Sequence, residues 1–155
     1  MTEKEMFLNS YEREFAITLT FLDAFPAGNF HFRPRPDLQS AFDLAWGFVQ
    51  EDHVLIEGAL EGDVVFKRNP APDTFEQIRS EYCTNHLSLA QRINALSDDA
   101  FNEMVTFGSG MADAKQMRRG DVFWLAVMDA AHHRGQFSVY IRMTGGKVPP
   151  LYTNQ

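Results

Sequence analysis

DAAHHRGQFSVYIRMTGGKVPPLY, residues 129–152, is a helical pattern that ends at two adjacent glycines and a proline-containing tail. Four polar or amphipathic side chains in it are separated by four, three and four residues: Asp129, His133, Gln136 and Tyr140. On a helix this spacing places them on one face. The preceding residues keep the helical period back to about Val122, and Asp121 is the predicted N-cap. The predicted helix spans about residues 122–144.

Three earlier segments have the same three- and four-residue apolar periodicity. They cover roughly residues 4–25, 42–60 and 75–96. For the second segment the candidate N-caps are Asp37 and Ser40, which follow a proline-rich link. For the third, Asp73 followed by Glu76 predicts a reciprocal capping box. These start signals, with glycine or proline near the ends, predict three further helices.

The segment from Ser97 to Gly120 sustains no single period and contains three glycines. We therefore expect a long crossover, which could cover a functional site, before the last helix. Four helices with two shorter links and one long link are typical of an all-α four-helix bundle. A chain of 155 residues is long enough for one core, so we predict a single domain over residues 1–155.

Composition excludes several classes of partner. The chain has 14 basic and 21 acidic residues, a net charge of -7, so its overall field repels nucleic acid and anionic membranes. A single cysteine, Cys83, permits no internal disulfide, which favours a reducing compartment. The acidic N-terminus does not resemble a signal peptide, and no apolar run reaches about 18 residues. We expect a cytoplasmic protein without a membrane span.

Asp129 and His133 lie one helical turn apart and form the candidate metal site of the last helix. In helical bundles, carboxylates and imidazoles on facing helices hold metal ions, so a third ligand must come from another helix. Without a metal, the same pair would be a carboxylate that orients a buried histidine, or two solvated side chains on an exposed strip. Gln136, on the same face, could hold a ligand or a water.

Two stretches near the C-terminus, HHRGQ (132–136) and GGKVPPLY (145–152), resemble the last helix of the DinB/YfiT-like family. A weaker similarity covers the rest of the chain, including FRPRPDLQSAFDLAWGFVQED (32–52). The resemblance implies a four-helix bundle with a long link before the last helix, usually dimeric. It also implies a divalent metal ion held by three histidines, in a family that includes thiol-dependent transferases.

Carried over by position, the family's ligand pattern falls on His133 and, one turn earlier, on Asp129 instead of a histidine. The family's first histidine falls on Gly47, which cannot ligate. Glu51 lies one turn further along the same face and is the preferred third ligand, with His53 as the alternative. The candidate ions are zinc, nickel, manganese and iron, because carboxylates favour the harder ions and imidazole favours zinc or nickel.

The two neighbours of His133 receive other roles. His132 points about 100° away from His133 on a helix, so an interface, surface or supporting role is expected for it. Arg134 is expected to pair with an acidic residue such as Glu51 or Asp52.

The resulting functional hypothesis is a divalent-metal-dependent enzyme that acts on a small molecule. The resemblance implies transfer of a low-molecular-weight thiol, or metal-assisted hydrolysis or isomerisation. The alternative is a non-catalytic bundle that binds a small ligand, with a degenerate metal site. Fourteen phenylalanines are many for this length, and more apolar surface than one bundle can bury would favour association. Together with the dimers that the family resemblance implies, this predicts a homodimer under either hypothesis.

Overall fold

The structure of the protein is a computed structural model that describes residues 1–152 and is mainly helical. Its elements in chain order are α1 (Glu3–Asp23), α2 (Ala41–Glu51), a π-helical segment (Asp52–Glu57), α3 (Gly58–Glu61), β1 (Asp63–Val64), α4 (Phe75–Asn94), α5 (Asp98–Asn102), β2 (Met104–Phe107), β3 (Lys115–Arg118) and α6 (Arg119–Met143). The predicted helical character is confirmed. The all-α class holds only in part, because three short strands form a small sheet. The last three residues of the predicted domain lie outside the described residues.

Capping boxes start three of the four long helical segments. The N-cap and N3 residues are Thr2 and Glu5, Ser40 and Asp43, and Thr74 and Gln77. Ser40 is therefore the cap of α2, and Asp37 is not. The predicted box at Asp73 and Glu76 is wrong by one residue, because the Gln77 side chain accepts hydrogen bonds from the backbone N–H groups of both Asp73 and Thr74.

The second predicted helix is not regular. After Glu51 the backbone widens into the π-helical segment 52–57 before α3 resumes the α-helical form. A π turn inserts extra residues, so it changes the direction of every side chain that follows it. Glu51 stands at the last position before this change, and His53 follows it.

The predicted crossover contains α5 and two strands of the sheet. Strands β2 and β3 are antiparallel, with Met104 opposite Arg118 and Phe107 opposite Lys115. Strand β1 pairs in parallel with β2. The buried side chains of Val64 and Val105 attach this sheet to the core. The crossover is thus an ordered layer and not a structureless link.

Helix α6 begins at Arg119, three residues before the predicted start, and Asp121 is not its cap. The Arg119 N–H donates to the carbonyl of Glu103, so the helix continues directly from the sheet. Asp121 lies in the first turn and accepts hydrogen bonds from Arg118. At the other end the helix stops at Met143, and Gly145 has the left-handed φ of +82°. The predicted glycine stop is confirmed.

Aromatic side chains fill two adjoining core clusters. Helix α6 packs against α1 and α2, and α4 also packs against α1 and α2. Phe48 and Phe137 belong to one cluster, and Phe7 and Phe123 to the other. Among residues 1–152 no helix combines the length and apolar character needed to cross a bilayer. The candidate site lies where α2 contacts α6.

Candidate metal centre

Glu51 at the end of α2 meets Asp129 and His133 of α6. His133 Nε2 lies 3.0 Å from Glu51 Oε1 and 3.7 Å from Asp129 Oδ1, and one ligand atom of each residue lies within 4.8 Å of the others. Ligand atoms about 2.1 Å from a tetrahedral ion are about 3.4 Å apart. The two separations measured from His133 Nε2 are close to that value. The three predicted residues are brought together, and their binding of an ion stays a prediction.

The orientation of His133 is set by Gln136, one turn along α6. His133 Nδ1–H donates to Gln136 Oε1 at 3.0 Å, which leaves the lone pair of Nε2 directed at the two carboxylates. The amide nitrogen of Gln136 in turn donates to His132 Nε2 at 3.0 Å. Such a bond to the second ring nitrogen fixes the tautomer of a metal-binding histidine. The predicted supporting roles of Gln136 and His132 agree with this arrangement.

Glu51 is the electrostatically unsatisfied member of the cluster. Its side chain is only 15% exposed, and Oε2 is buried with no hydrogen-bond partner among residues 1–152. Burial, followed by the charges of Asp129 and Asp52, raises its pKa to about 9, while the charge of Arg68 acts in the opposite direction. A carboxylate without a counter-charge or a donor is stabilised by a cation. The donor set therefore suits a divalent ion.

A cavity of about 270 Å³ opens directly onto the three side chains. Gly47 lines it, and apart from its own helix backbone and chain neighbours nothing lies within 4 Å of the position that a Cβ at Gly47 would occupy. The resemblance places a histidine at this position. Its absence leaves open space beside Glu51, as the choice of Glu51 as substitute ligand requires.

His53, the alternative third ligand, is directed at α4. Its Nδ1 lies 2.9 Å from Glu57 Oε2, and its Nε2 lies 2.8 Å from the amide nitrogen of Asn85. The π-helical turn after Glu51 separates the directions of the two candidates. The structure brings Glu51, and not His53, to Asp129 and His133.

Arg134 pairs with an acidic residue, as predicted, but the suggested partners Glu51 and Asp52 are wrong. The side chain points to α1 instead, where Nη2 lies 2.6 Å from Glu14 Oε2. The Tyr152 hydroxyl donates to the same carboxylate and ties the C-terminal tail to this pair. Burial raises the pKa of Glu14, but hydrogen bonds and charge from Arg134 outweigh it and hold the pKa below the usual range.

Sequence reasoning missed a basic pair at the cavity. Lys67 and Arg68 follow β1 and line the same cavity as the three candidate ligands. The available signal was two adjacent cations in a chain with a net charge of -7. Their position depends on long-range contacts, which the local pattern does not contain.

The chain is similar to known proteins over its whole length. The model of the DinB family matches residues 1–155. A DinB-like protein from Bacillus cereus has 23% sequence identity and a TM-score of 0.81, covering 96% of this chain and 97% of that chain. A DinB-like protein from Bacillus subtilis has 15% identity and a TM-score of 0.77, covering 97% and 99%. No curated protein matches.

At such low identities the two solved structures show likeness of fold alone. The family match spans every residue, including the HHRGQ and GGKVPPLY stretches on which the resemblance was based. The predicted family membership is confirmed, and the chain belongs to the DinB family.

Proposed function

We propose that this chain binds one divalent metal ion through Glu51, Asp129 and His133, on a four-helix-bundle scaffold, and acts as an enzyme on a small molecule. The observation that carries the proposal is the convergence of two carboxylates and one oriented imidazole at the cavity. The unpartnered, buried oxygen of Glu51 supports it, since such an atom is costly without a partner.

The residues around the proposed ion would have distinct roles. Three protein ligands leave coordination positions that face the cavity, and an ion there would act as a Lewis acid that lowers the pKa of a thiol or a water. Gln136 keeps the His133 lone pair directed at the ion. Two carboxylates with one imidazole favour harder ions such as manganese or iron over zinc or nickel.

The proposed reaction is transfer of a low-molecular-weight thiol, or a metal-assisted hydrolysis or isomerisation. The cavity of about 270 Å³ lies near the lower end of the roughly 300–1,000 Å³ of small-molecule sites, which supports a small substrate. Membership of the DinB family supports the thiol reaction, because the resemblance implies thiol-dependent transferases.

Calorimetric titration of metal-free protein with Mn²⁺, Zn²⁺ and Ni²⁺ tests the metal site. We expect one ion per chain, with binding strongly weakened by Glu51→Gln. The reaction class is tested by adding 4-mercapto-1-butanol to Co²⁺-loaded protein, where a thiolate-to-cobalt absorption band is expected. Binding of no ion contradicts the proposal. If the protein binds an ion but added thiols produce no such band, the proposed thiol reaction is contradicted while the metal site remains.

The alternative is a non-catalytic homodimer that binds a small ligand. One observation favours it: His133 Nε2 and Glu51 Oε1, 3.0 Å apart, can share a proton instead of a metal ion. The argument from phenylalanine count is weaker than the sequence suggested, because six phenylalanine side chains are fully buried within one chain. Light scattering tests the dimer in either case. A mass of 17.7 kDa at micromolar concentration would contradict it.

A further inference from the structure

The segment after β1 is fixed over the cavity by side chains of α2. The N–H of Asn69 donates to Gln50 Oε1 at 2.5 Å, and the indole N–H of Trp46 donates to the carbonyl of Asn69 at 3.2 Å. Gln50 and Trp46 are both buried. Both backbone polar groups of Asn69 are thus held, and the two residues before it stay at the cavity wall.

Those two residues are Lys67 and Arg68, whose charges are not neutralised within the protein. Both are exposed at the surface and line the cavity. Among residues 1–152, neither forms an ion pair. Most arginines of the described chain do pair with carboxylates, as Arg79 does with Asp23. This basic pair is therefore available to a ligand.

The carboxylates of the cavity form no ion pair with the basic pair, and Arg68 acts on Glu51 only through its charge at a distance. Glu51 and Asp129 belong to the proposed metal site, where one divalent ion would balance their two negative charges. Asp43, which also lines the cavity, accepts hydrogen bonds from Ser40 and pairs with Arg33. With the ion bound, the excess charge at the cavity would be that of Lys67 and Arg68.

We infer that the substrate is an anion of the carboxylate class, with its reactive group at the metal-binding cluster and its negative group bound by Lys67 and Arg68. This inference rests on the proposed metal-dependent function and names the substrate class for it. A guanidinium binds a carboxylate with two parallel hydrogen bonds, so Arg68 would supply most of the selectivity. Lys67 would add a point charge. The net negative charge of the chain disfavours anions elsewhere on its surface.

Matched pairs of thiols on Co²⁺-loaded protein test the inference. The pairs are 3-mercaptopropionate with 3-mercapto-1-propanol, and 4-mercaptobutyrate with 4-mercapto-1-butanol, read by the thiolate-to-cobalt band. We expect at least one acid to bind about tenfold more tightly than its alcohol, on the scale of a hydrogen bond to a charged group. Arg68→Ala should remove most of that advantage and leave the alcohols unchanged.

The control is Arg142→Ala, since Arg142 is an exposed arginine of α6 that donates to Ser138 and lies outside this cavity. It should change the binding of neither thiol. Equal binding of acid and alcohol in both pairs, or an advantage that survives in the Lys67→Ala/Arg68→Ala variant, overturns the inference alone. If no thiol of either kind produces the band, the proposed thiol function fails and the inference falls with it.

Discussion

Two clusters that each contain a buried carboxyl group lie against helix α6, and the pKa of that group is shifted in opposite directions in the two. Glu14 is buried but pairs with Arg134 and accepts the Tyr152 hydroxyl, and its pKa is lowered. Glu51 is also largely buried, yet it faces Asp129 and the Nε2 atom of His133, and its pKa is raised to about 9. A buried charge that serves stability is matched within the chain. Glu51 has no such partner, so without a cation it keeps its proton, and the proposed metal ion would take the place of that proton.

Removal of Arg134 is expected to have the largest effect. Arg134→Met leaves the Glu14 carboxylate buried without its buried guanidinium partner, with only the exposed Arg13 and the Tyr152 hydroxyl in contact with it. We expect a loss of about 3–5 kcal/mol of unfolding free energy. The double variant Glu14→Gln/Arg134→Met should recover most of that loss in urea unfolding. The control is Arg13→Ala, which removes an exposed partner of Glu14 and should cost less than about 1 kcal/mol. Equal losses in all three variants would contradict the contrast between the clusters.

Loss of the imidazole is expected to have the next largest effect, on metal affinity. His133→Ala should weaken divalent-ion binding more than about 100-fold, because it removes a direct ligand and not only an outer partner. His132→Ala is the matched control and should leave most of the affinity, since its ring contacts Gln136 and not the carboxylates. Titration calorimetry measures both. Similar losses in the two variants would show that the face of α6 has been assigned wrongly.

The next prediction concerns the third metal ligand, for which Glu51 and His53 are the two candidates. Glu51→Ala should weaken metal binding by at least the about 10- to 100-fold typical of losing an outer partner. His53→Ala should leave the affinity largely unchanged, because its ring contacts Glu57 and Asn85 and not the carboxylate cluster. The same calorimetric titration decides between them. If His53→Ala were the change that empties the site, the triad would be His53, Asp129 and His133.

The smallest expected effect is on the pH dependence of stability without metal. The ordinary pKa of Glu51 is 4.5 and its folded value is about 9, so the folded protein keeps a proton that the unfolded chain releases. Stability should fall as pH rises between these values, by at most about 1.4 kcal/mol per pH unit. Between pH 7.5 and 9 the Asp52 carboxyl, with a pKa of about 7, contributes little.

Urea unfolding in the presence of EDTA tests this slope. The wild-type protein should lose stability across that window, while Glu51→Gln should lose less because glutamine does not titrate. Glu14 contributes to the pH dependence in the opposite direction. Because its pKa is lowered in the folded protein, it stabilises the fold at pH values above its ordinary pKa, and that stabilisation is lost in acid. An identical slope in wild type and Glu51→Gln would show that burial does not perturb Glu51.

What the sequence predicted well was local. The Ser40 cap and the four-residue spacing of Asp129 and His133 are contained in short stretches, and a helix turns that spacing directly into proximity. The choice of Glu51 depended on one further turn from Gly47. The structure brings Glu51 to the pair because the regular helix persists up to that residue.

What the sequence did not predict depends on distant contacts. Strand β1 has two residues and pairs in parallel with a strand about forty positions later, so it has no alternation to detect. The π-helical turn leaves the apolar periodicity almost unchanged. The direction of Arg134 depends on where α1 lies, and the positions of Lys67 and Arg68 depend on the Gln50 anchor.

Metal analysis of tag-free protein tests the central claim most directly. Elemental analysis after purification without an affinity tag should find about one equivalent of a divalent metal per chain. Treatment with a chelator should remove the metal and lower the melting temperature, because an ion that binds only the folded state stabilises it. No bound metal as purified, no uptake by the metal-free protein, and a melting temperature indifferent to chelator would contradict the account.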